Sequence, residues 1–393
     1  MHMSPSAFSQ LRSCEYLWFA NSVLRIESRS RSRVYLDRGN LFHALIERAL
    51  RVYASTGVPF VYAGDDGFVV ARSVFKEQYD ERGIGCEEAD ALELLEAARW
   101  QLARLRMQEW EILTVEGKLL IECRLSAPWS GHELHAILDL VFRHKPSGLI
   151  WHVNWKTSAK DLGTATHVVN DYQLFIEREI LRHHGVVPDI SALCYLRSVP
   201  PTPPTLTYNK TKVSRDKSKL ACTWEMYVQA IVDVGGDIDD YADMQPVLDA
   251  KIFSRWCPDA TSHVALEVMR RELLAWLERA DALQHAWENR LALDSSSDAV
   301  APAPVPAYSA LKRKLAYSCG KCDYLAWCRA GLDHPDGMDL RLLGPDYKMR
   351  DDKSPFVGLR LNRDAPVYDP NAAYKALAAK HGRDLEPHQE FTP

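Results

Sequence analysis

The stretch HELHAILDLVFRHKPSGLIWHVNWKTS, residues 132–158, constrains this chain more than any other. Apolar and polar residues alternate on either side of KPSG, which is the signature of two strands joined by a short loop. If Lys145–Gly148 form that loop, His144 pairs with Leu149 and, counting outward, Asp139 lies opposite Asn154. Opposed residues of an antiparallel pair have Cβ atoms about 4.5–5.5 Å apart and share a face. Alternation adds Lys156 to that face. Two oxygen ligands and an ammonium group therefore converge. An oxygen pair at such a separation suits Mg²⁺ or Mn²⁺, and the lysine suits orienting or deprotonating an attacking water and offsetting transition-state charge. The bland alternative is an amphipathic hairpin with a surface ion pair. Leu138, Leu140, Ile150 and Val153 argue against it, because they make the hairpin mostly buried, and a buried Asp and Lys need a partner or a task.

With 393 residues, the chain is long enough for one elaborated domain or two to three ordinary ones. Its 47% hydrophobic and 26% charged content is that of a globular protein. No apolar run approaches membrane-spanning length, and MHMSPSAFSQLRS lacks the apolar region of a signal peptide, so a cytoplasmic protein without membrane association is expected. Nine cysteines at irregular spacing do not make a disulfide framework. A net charge of −5 gives no global sign of nucleic-acid binding, but local basic stretches exist: Arg25, Arg29, Arg31, Arg33 and Arg38; Lys210, Lys212, Arg215, Lys217 and Lys219; and Lys312, Arg313 and Lys314. Any one of them alone is as readily a solvated loop.

Helical patterns are read at 4–23, 39–53 and 87–110, followed by four strands (EILTVE, KLLIECRLS, HELHAILDLVFRH, LIWHVNWKT). NDYQLFIEREILRHHG is a helix ending at Gly185, and ISALCYLRSV is a fifth strand. Residues 223–250 and 260–293 read as helical, and SSSDAVAPAPVPA as a linker. The expected class is α/β, a mixed sheet wrapped by helices. The expected divisions are an N-terminal helical segment (1–60), a core (87–200), a helical region (220–293), a linker (294–310), a cysteine segment (311–332) and an irregular tail (333–393).

The order Asp139…Asn154-Trp155-Lys156-Thr157 resembles the PD-(D/E)xK nucleases, in the RecB-like branch that includes the AddB nuclease domain and the CRISPR-associated adaptation exonucleases. The helix after the hairpin supplies a glutamine in that branch, and Gln173 stands at its place. The tyrosine often found four residues later is Glu177 here, with Tyr172 as a substitute. The branch's G-x-x-x-H matches Gly39…His43, which makes His43 a third metal ligand by resemblance; alone, it reads as an ordinary helix histidine. Its S-x-x-x-F/L-x-x-C motif is matched loosely, with Ser6 and Gln10 preceding Leu11 and Cys14. The second acid of the family is Asn154 here, a neutral and weaker ligand. It is either an engineered Asp→Asn change that stops cleavage or the mark of a degenerate nuclease that only binds DNA or a partner. Retention of His43, Lys156, Thr157 and Gln173 favours the first.

The resemblance also reads SCGKCDYLAWC, residues 318–328. Members with an iron–sulfur cluster use one N-terminal and three C-terminal cysteines, here Cys14 with Cys319, Cys322 and Cys328. Four thiolates suit a [4Fe-4S] cluster; spacing alone also allows zinc, and the nuclease-like hairpin between the cysteines favours the cluster. Such a centre would clip the two ends of the nuclease region together. Cys86, Cys123, Cys194, Cys222 and Cys257 read as small apolar fillers.

The resemblance thus implies a Mg²⁺- or Mn²⁺-dependent deoxyribonuclease, an exonuclease on single strands or DNA ends. Asp139, Asn154, the Trp155 carbonyl and His43 would hold metal, Lys156 would place the water, and Gln173 would contact water or substrate. Arg29, Arg31, Arg33, Lys210, Lys212 and Tyr172 would bind DNA, with salt-dependent phosphate contacts and stacking on Tyr35 and Tyr208. A protein partner in replication, recombination or CRISPR adaptation is implied in the same way. The rival is a non-catalytic binding module on the same fold.

Overall fold

A computed structural model describes residues 2–28, 34–59, 64–82, 87–159, 166–217, 220–250, 253–294 and 347–349. Its contacts divide the chain into two units. One comprises Met3–Arg31 with Arg271–Pro393, and the other is essentially Ser32–Arg270.

In the first unit, helix α1 (Pro5–Ser13) starts where the Ser4 hydroxyl accepts the Ala7 N–H, with Pro5 in the first turn. It stops at Cys14, whose backbone is extended, so the helix read over 4–23 is broken there. A short turn, Glu15–Trp18, and a π-type stretch, Phe19–Val23, follow. Buried Glu15 receives two hydrogen bonds from Arg279, at 3.1 and 3.0 Å. The short strand Ile26–Ser28 pairs with Tyr347–Met349.

The second unit is built on a mixed sheet. Its six longer strands are β1 (Trp110–Ile112), β2 (Ile121–Trp129), β3 (His132–His144), β4 (Ile150–Ser158), β5 (Ile190–Arg197) and β6 (Ser254–Pro258). β1, β2 and β4 all pair antiparallel to β3, β4 runs parallel to β5, and β5 is antiparallel to β6. The β2–β3 turn consists of Ser130 and Gly131, both at positive φ, as a tight two-residue hairpin requires. The β3–β4 turn places Gly148 at φ 72°, and His144 bonds to Leu149 as the loop length demands. Two elements escape the periodicity reading: β6, and a helix at Gly64–Arg82, whose apolar positions are sparse.

Helices α2 (Val34–Thr56), α3 (Gly64–Arg82) and α4 (Glu88–Arg104) lie N-terminal to the sheet in sequence. α4 begins with a reciprocal cap between Glu87 and Asp90. Leu41, Phe42, Leu45 and Ile46 of α2 and Leu94, Leu95 and Leu102 of α4 share one buried core with Ile121, Leu140, Phe142, Val153 and Trp155 of the sheet. Trp110 and Phe142 stack within it, ring centroids 4.4 Å apart. α5 (Tyr172–His183), capped by the Asp171 carboxylate on the Leu174 N–H, connects β4 to β5. Connecting two parallel neighbours is the usual use of a crossover helix. A smaller core gathers Tyr227 and Ile231 of α6 (Trp224–Asp233) with Tyr241, Met244 and Leu248. α7 (His263–Asp294) is not interrupted by any helix breaker.

One contact fixes how α2 meets the sheet. A Cβ on Gly39 would come 3.2 Å from the Thr157 hydroxyl of β4. The glycine thus permits a close approach one helical turn before His43. In an open helix, Gly→Ala stabilises by about 1 kcal/mol. Here Gly39→Ala is expected to show no such gain in chemical denaturation, and to lower activity by displacing His43. A gain of full size would show that the approach is not tight.

Candidate metal centre

Two hairpins align three strands at one level. Between the Ile121–Leu140 and Cys123–Leu138 pairs, Glu122 of β2 stands across from Asp139 of β3. On the other side of β3, the backbone ladder runs from Arg143–Ile150 to Leu140–Val153. One residue further, the bond between strands is made by a side chain: the Trp155 N–H donates to Asp139 Oδ2 at 2.6 Å. Glu122 takes a positive φ of 43°, rare and costly for a residue with a Cβ. Its carboxylate lies 3.3 Å from His43 Nδ1 of α2, and Asp139 Oδ2 is 3.9 Å from the same nitrogen. One ligand atom from each of His43, Glu122 and Asp139 lies within 4.8 Å of the others.

The second half of the site is a chain of polar contacts between β4 and α5. Lys156 Nζ donates to Gln173 Oε1 at 2.6 Å, and Gln173 Nε2 donates to Glu177 Oε1 at 2.9 Å. Gln173 and Glu177 are four residues apart on α5, so they share a face. Glu177 is 1% exposed and also receives Asn154 Nδ2, at 3.3 and 3.4 Å, and His152 Nε2, at 2.9 Å. With His152 Nε2 turned to an acceptor, its Nδ1 is left to face the Ser191 hydroxyl, at 3.2 Å. Among the described residues, Asn154 Oδ1 is buried without a hydrogen-bond partner.

The donor set of His43, Glu122 and Asp139 fits a divalent ion, with two carboxylates and an imidazole. The electrostatics agree. Burial, the Glu122 charge and the Glu177 charge push the Asp139 carboxyl up to about 7, against the His43 charge and the Trp155 N–H, which favour ionisation. Burial works against the protonated form of His43, but the Glu122 hydrogen bond and the Asp139 and Glu122 charges outweigh it and raise its pKa, with Lys156 opposing. A crowded acid such as Asp139, held so near neutrality, is relieved when a cation arrives.

Of the residues singled out in the sequence, Asp139, Asn154, Lys156, Gln173 and His43 thus fall in one neighbourhood. Trp155 enters it through its backbone N–H, while its indole is buried in the main core. Tyr172 opens α5, its ring 6.2 Å and edge-on from Phe175. Lys210 and Lys212 sit on an exposed turn beside the fully exposed Tyr208. Arg38 and Arg215, counted among the basic stretches, are engaged in ion pairs, Arg38 with Asp90 and Glu93 and Arg215 with Asp243. Cys14 is a free, half-buried cysteine. Arg29, Arg31, Arg33, Cys319, Cys322 and Cys328 lie outside the described residues. Glu122, His152 and Glu177 have site roles the motif reading did not give. Glu122 had a signal: counting back across the two-residue turn from the Trp129–His132 pair sets it against Asp139.

A family model described as the PD-(D/E)XK nuclease superfamily matches residues 2–329. No curated protein matches the chain. No helix among the described residues is long and apolar enough to cross a membrane.

The raised Asp139 carboxyl has a consequence for stability. Folding strengthens its hold on a proton, so the stability it contributes is present below about pH 4 and is lost as pH rises through about 7. The melting temperature of the metal-free protein is expected to fall across that window more steeply than that of Asp139→Asn. Added Mn²⁺ should cancel the difference. Parallel curves for the two proteins would refute the electrostatic account.

Proposed function

The chain belongs to the PD-(D/E)XK nuclease superfamily, whose members are metal-dependent nucleases, and from that premise we propose that it is a Mg²⁺- or Mn²⁺-dependent deoxyribonuclease acting on single strands or DNA ends. One observation carries the reading: ligand atoms of His43, Glu122 and Asp139 converge within 4.8 Å, with Lys156 near enough for its charge to act on His43. A divalent ion held there would activate a water and take up the charge developing on the scissile phosphate. Asp139 and Glu122 would hold it, with His43 and Asn154 Oδ1 completing the protein's share. The backbone carbonyl of Trp155 is the further ligand that the family pattern suggests.

Lys156 is the cation nearest the attack position in this scheme. Its ammonium is steered by the 2.6 Å bond to Gln173, so that one donor is fixed and two remain for water or a phosphate oxygen. Gln173 is then a substrate-side and lysine-orienting residue. The exposed turn with Tyr208, Lys210 and Lys212 offers a ring for a base and two charges for phosphates, which fits binding without sequence preference. Arg29, Arg31, Arg33 and Tyr172 belong to the same proposed DNA path.

Cys14, Cys319, Cys322 and Cys328 are proposed to hold a [4Fe-4S] cluster. The support is their C…C-x2-C-x5-C spacing and the family match that spans all four positions. A protein partner in replication, recombination or CRISPR adaptation is part of the same proposal.

Two experiments test these readings. Linear single- and double-stranded DNA is incubated with the protein and Mn²⁺. Cleavage from ends is expected, with losses of about 10²-fold or more for Asp139→Ala and Lys156→Ala. If neither the native chain nor Asn154→Asp cuts any DNA form, the enzyme reading fails and the binding module stands. Anaerobically purified protein should show a broad absorbance near 400 nm, bleached by dithionite and lost in Cys322→Ser; a colourless protein carrying stoichiometric zinc would replace the cluster with a zinc staple.

A further inference from the structure

Asn154 and Glu177 are in contact, and their chemistry fits only one way round. A carboxylate at a fixed position is an acceptor, whereas an amide has a donor end and an acceptor end. Glu177 is buried, and both its oxygens lie within 3.4 Å of Asn154 Nδ2. The amide nitrogen is thereby bound to turn towards α5. Its oxygen is forced to the other end, where it is buried and has no partner among the described residues. Leaving a buried oxygen orphaned is unfavourable, a penalty a bound cation would remove.

Glu177 also explains what an aspartate at 154 would meet. The oxygen replacing Nδ2 would face both Glu177 oxygens at about 3.4 Å, acceptor against acceptor and charge against charge. Glu177 already receives His152 and Gln173, so it is anchored by other donors and cannot simply turn away.

We propose that Glu177 is a positioning residue that fixes the Asn154 amide with its oxygen towards the metal centre, and that the two form a matched pair in which the acid absent from position 154 stands at 177. This rests on the metal-dependent nuclease reading for its purpose, but the pairing itself is a property of the apo protein. In this account Asn154 belongs to the native design of the site. The same carboxylate holds Gln173, which holds Lys156, so one buried charge orients the amide, the glutamine and, through it, the lysine.

A double-mutant cycle over Asn154→Asp and Glu177→Gln tests the pair. Three quantities are read: the melting temperature without metal, the Mn²⁺ dissociation constant by calorimetry, and the cleavage rate. With Asn154 in place, Glu177→Gln exchanges one of the two acceptor oxygens for a donor while His152, Gln173 and the Asn154 amide all still require acceptors, and is expected to lower the melting temperature and weaken Mn²⁺ binding about tenfold. In the Asn154→Asp background, Glu177→Gln instead supplies a donor to the new carboxylate. There it is expected to raise the melting temperature and tighten Mn²⁺ binding. The reversal of sign distinguishes a matched pair from a residue that merely supports the fold. If Glu177→Gln shifts both quantities by the same amount in either background, the proposal is overturned. The nuclease reading fails separately: a native protein that neither binds Mn²⁺ nor cuts DNA would sink it, while the sign of the metal-free melting shift would still decide the pair.

Discussion

The site depends on a substitution of one kind of hydrogen bond for another. β3 and β4 are joined by backbone bonds as far as Leu140 and Val153. At the next position the Asp139 carboxylate takes the N–H of Trp155. This holds a buried acid at the point where the regular ladder ends, within reach of His43 from α2 and Glu122 from β2. A carboxylate free to choose would turn to water. Here burial and the neighbouring acids raise its pKa, and the Trp155 N–H holds its orientation. A cation bound there would relieve that crowding.

The elements that supply the site are rigid for reasons unrelated to chemistry. α2 and α4 share the main core with Ile121, Leu140, Phe142 and Val153, which include the residues flanking Glu122, Asp139 and Asn154 along their strands. Alternation along a strand then presents the intervening polar residues away from that core. Gly39 allows α2 to approach β4 closely, and His43 follows one turn later. The exceptional backbone at Glu122, at φ 43°, sits within the site, where strain of that kind commonly serves function.

Charge is distributed over two layers. The inner layer, Glu122 and Asp139 with His43, can bind an ion. The outer layer, Glu177 with His152 and Gln173, orients the groups around it. In the proposed scheme the neutral Asn154 is the joint between the layers. The D/E-x-K motif taken alone lacks an acid; α5 carries one four residues beyond the glutamine.

The strand pair, its register through the four-residue loop, the helix carrying Gln173, and the family order of Asp139, Lys156 and His43 were all legible in the order of the amino acids. The first three follow from local periodicity, turn chemistry and spacing, all of which act within a few residues; the last came from the family resemblance alone. Glu122 was nearly within reach, since a two-residue turn sets its partner by counting. Gly64–Arg82 and β6 escaped because their apolar patterns are weak and packing decides them. Three-dimensional packing alone settled which polar side chains meet across elements: Glu177 with Asn154 and His152, Lys156 with Gln173, and Glu122 with His43. Those contacts depend on the angle and depth at which helices cross the sheet, which the core sets and no local pattern encodes.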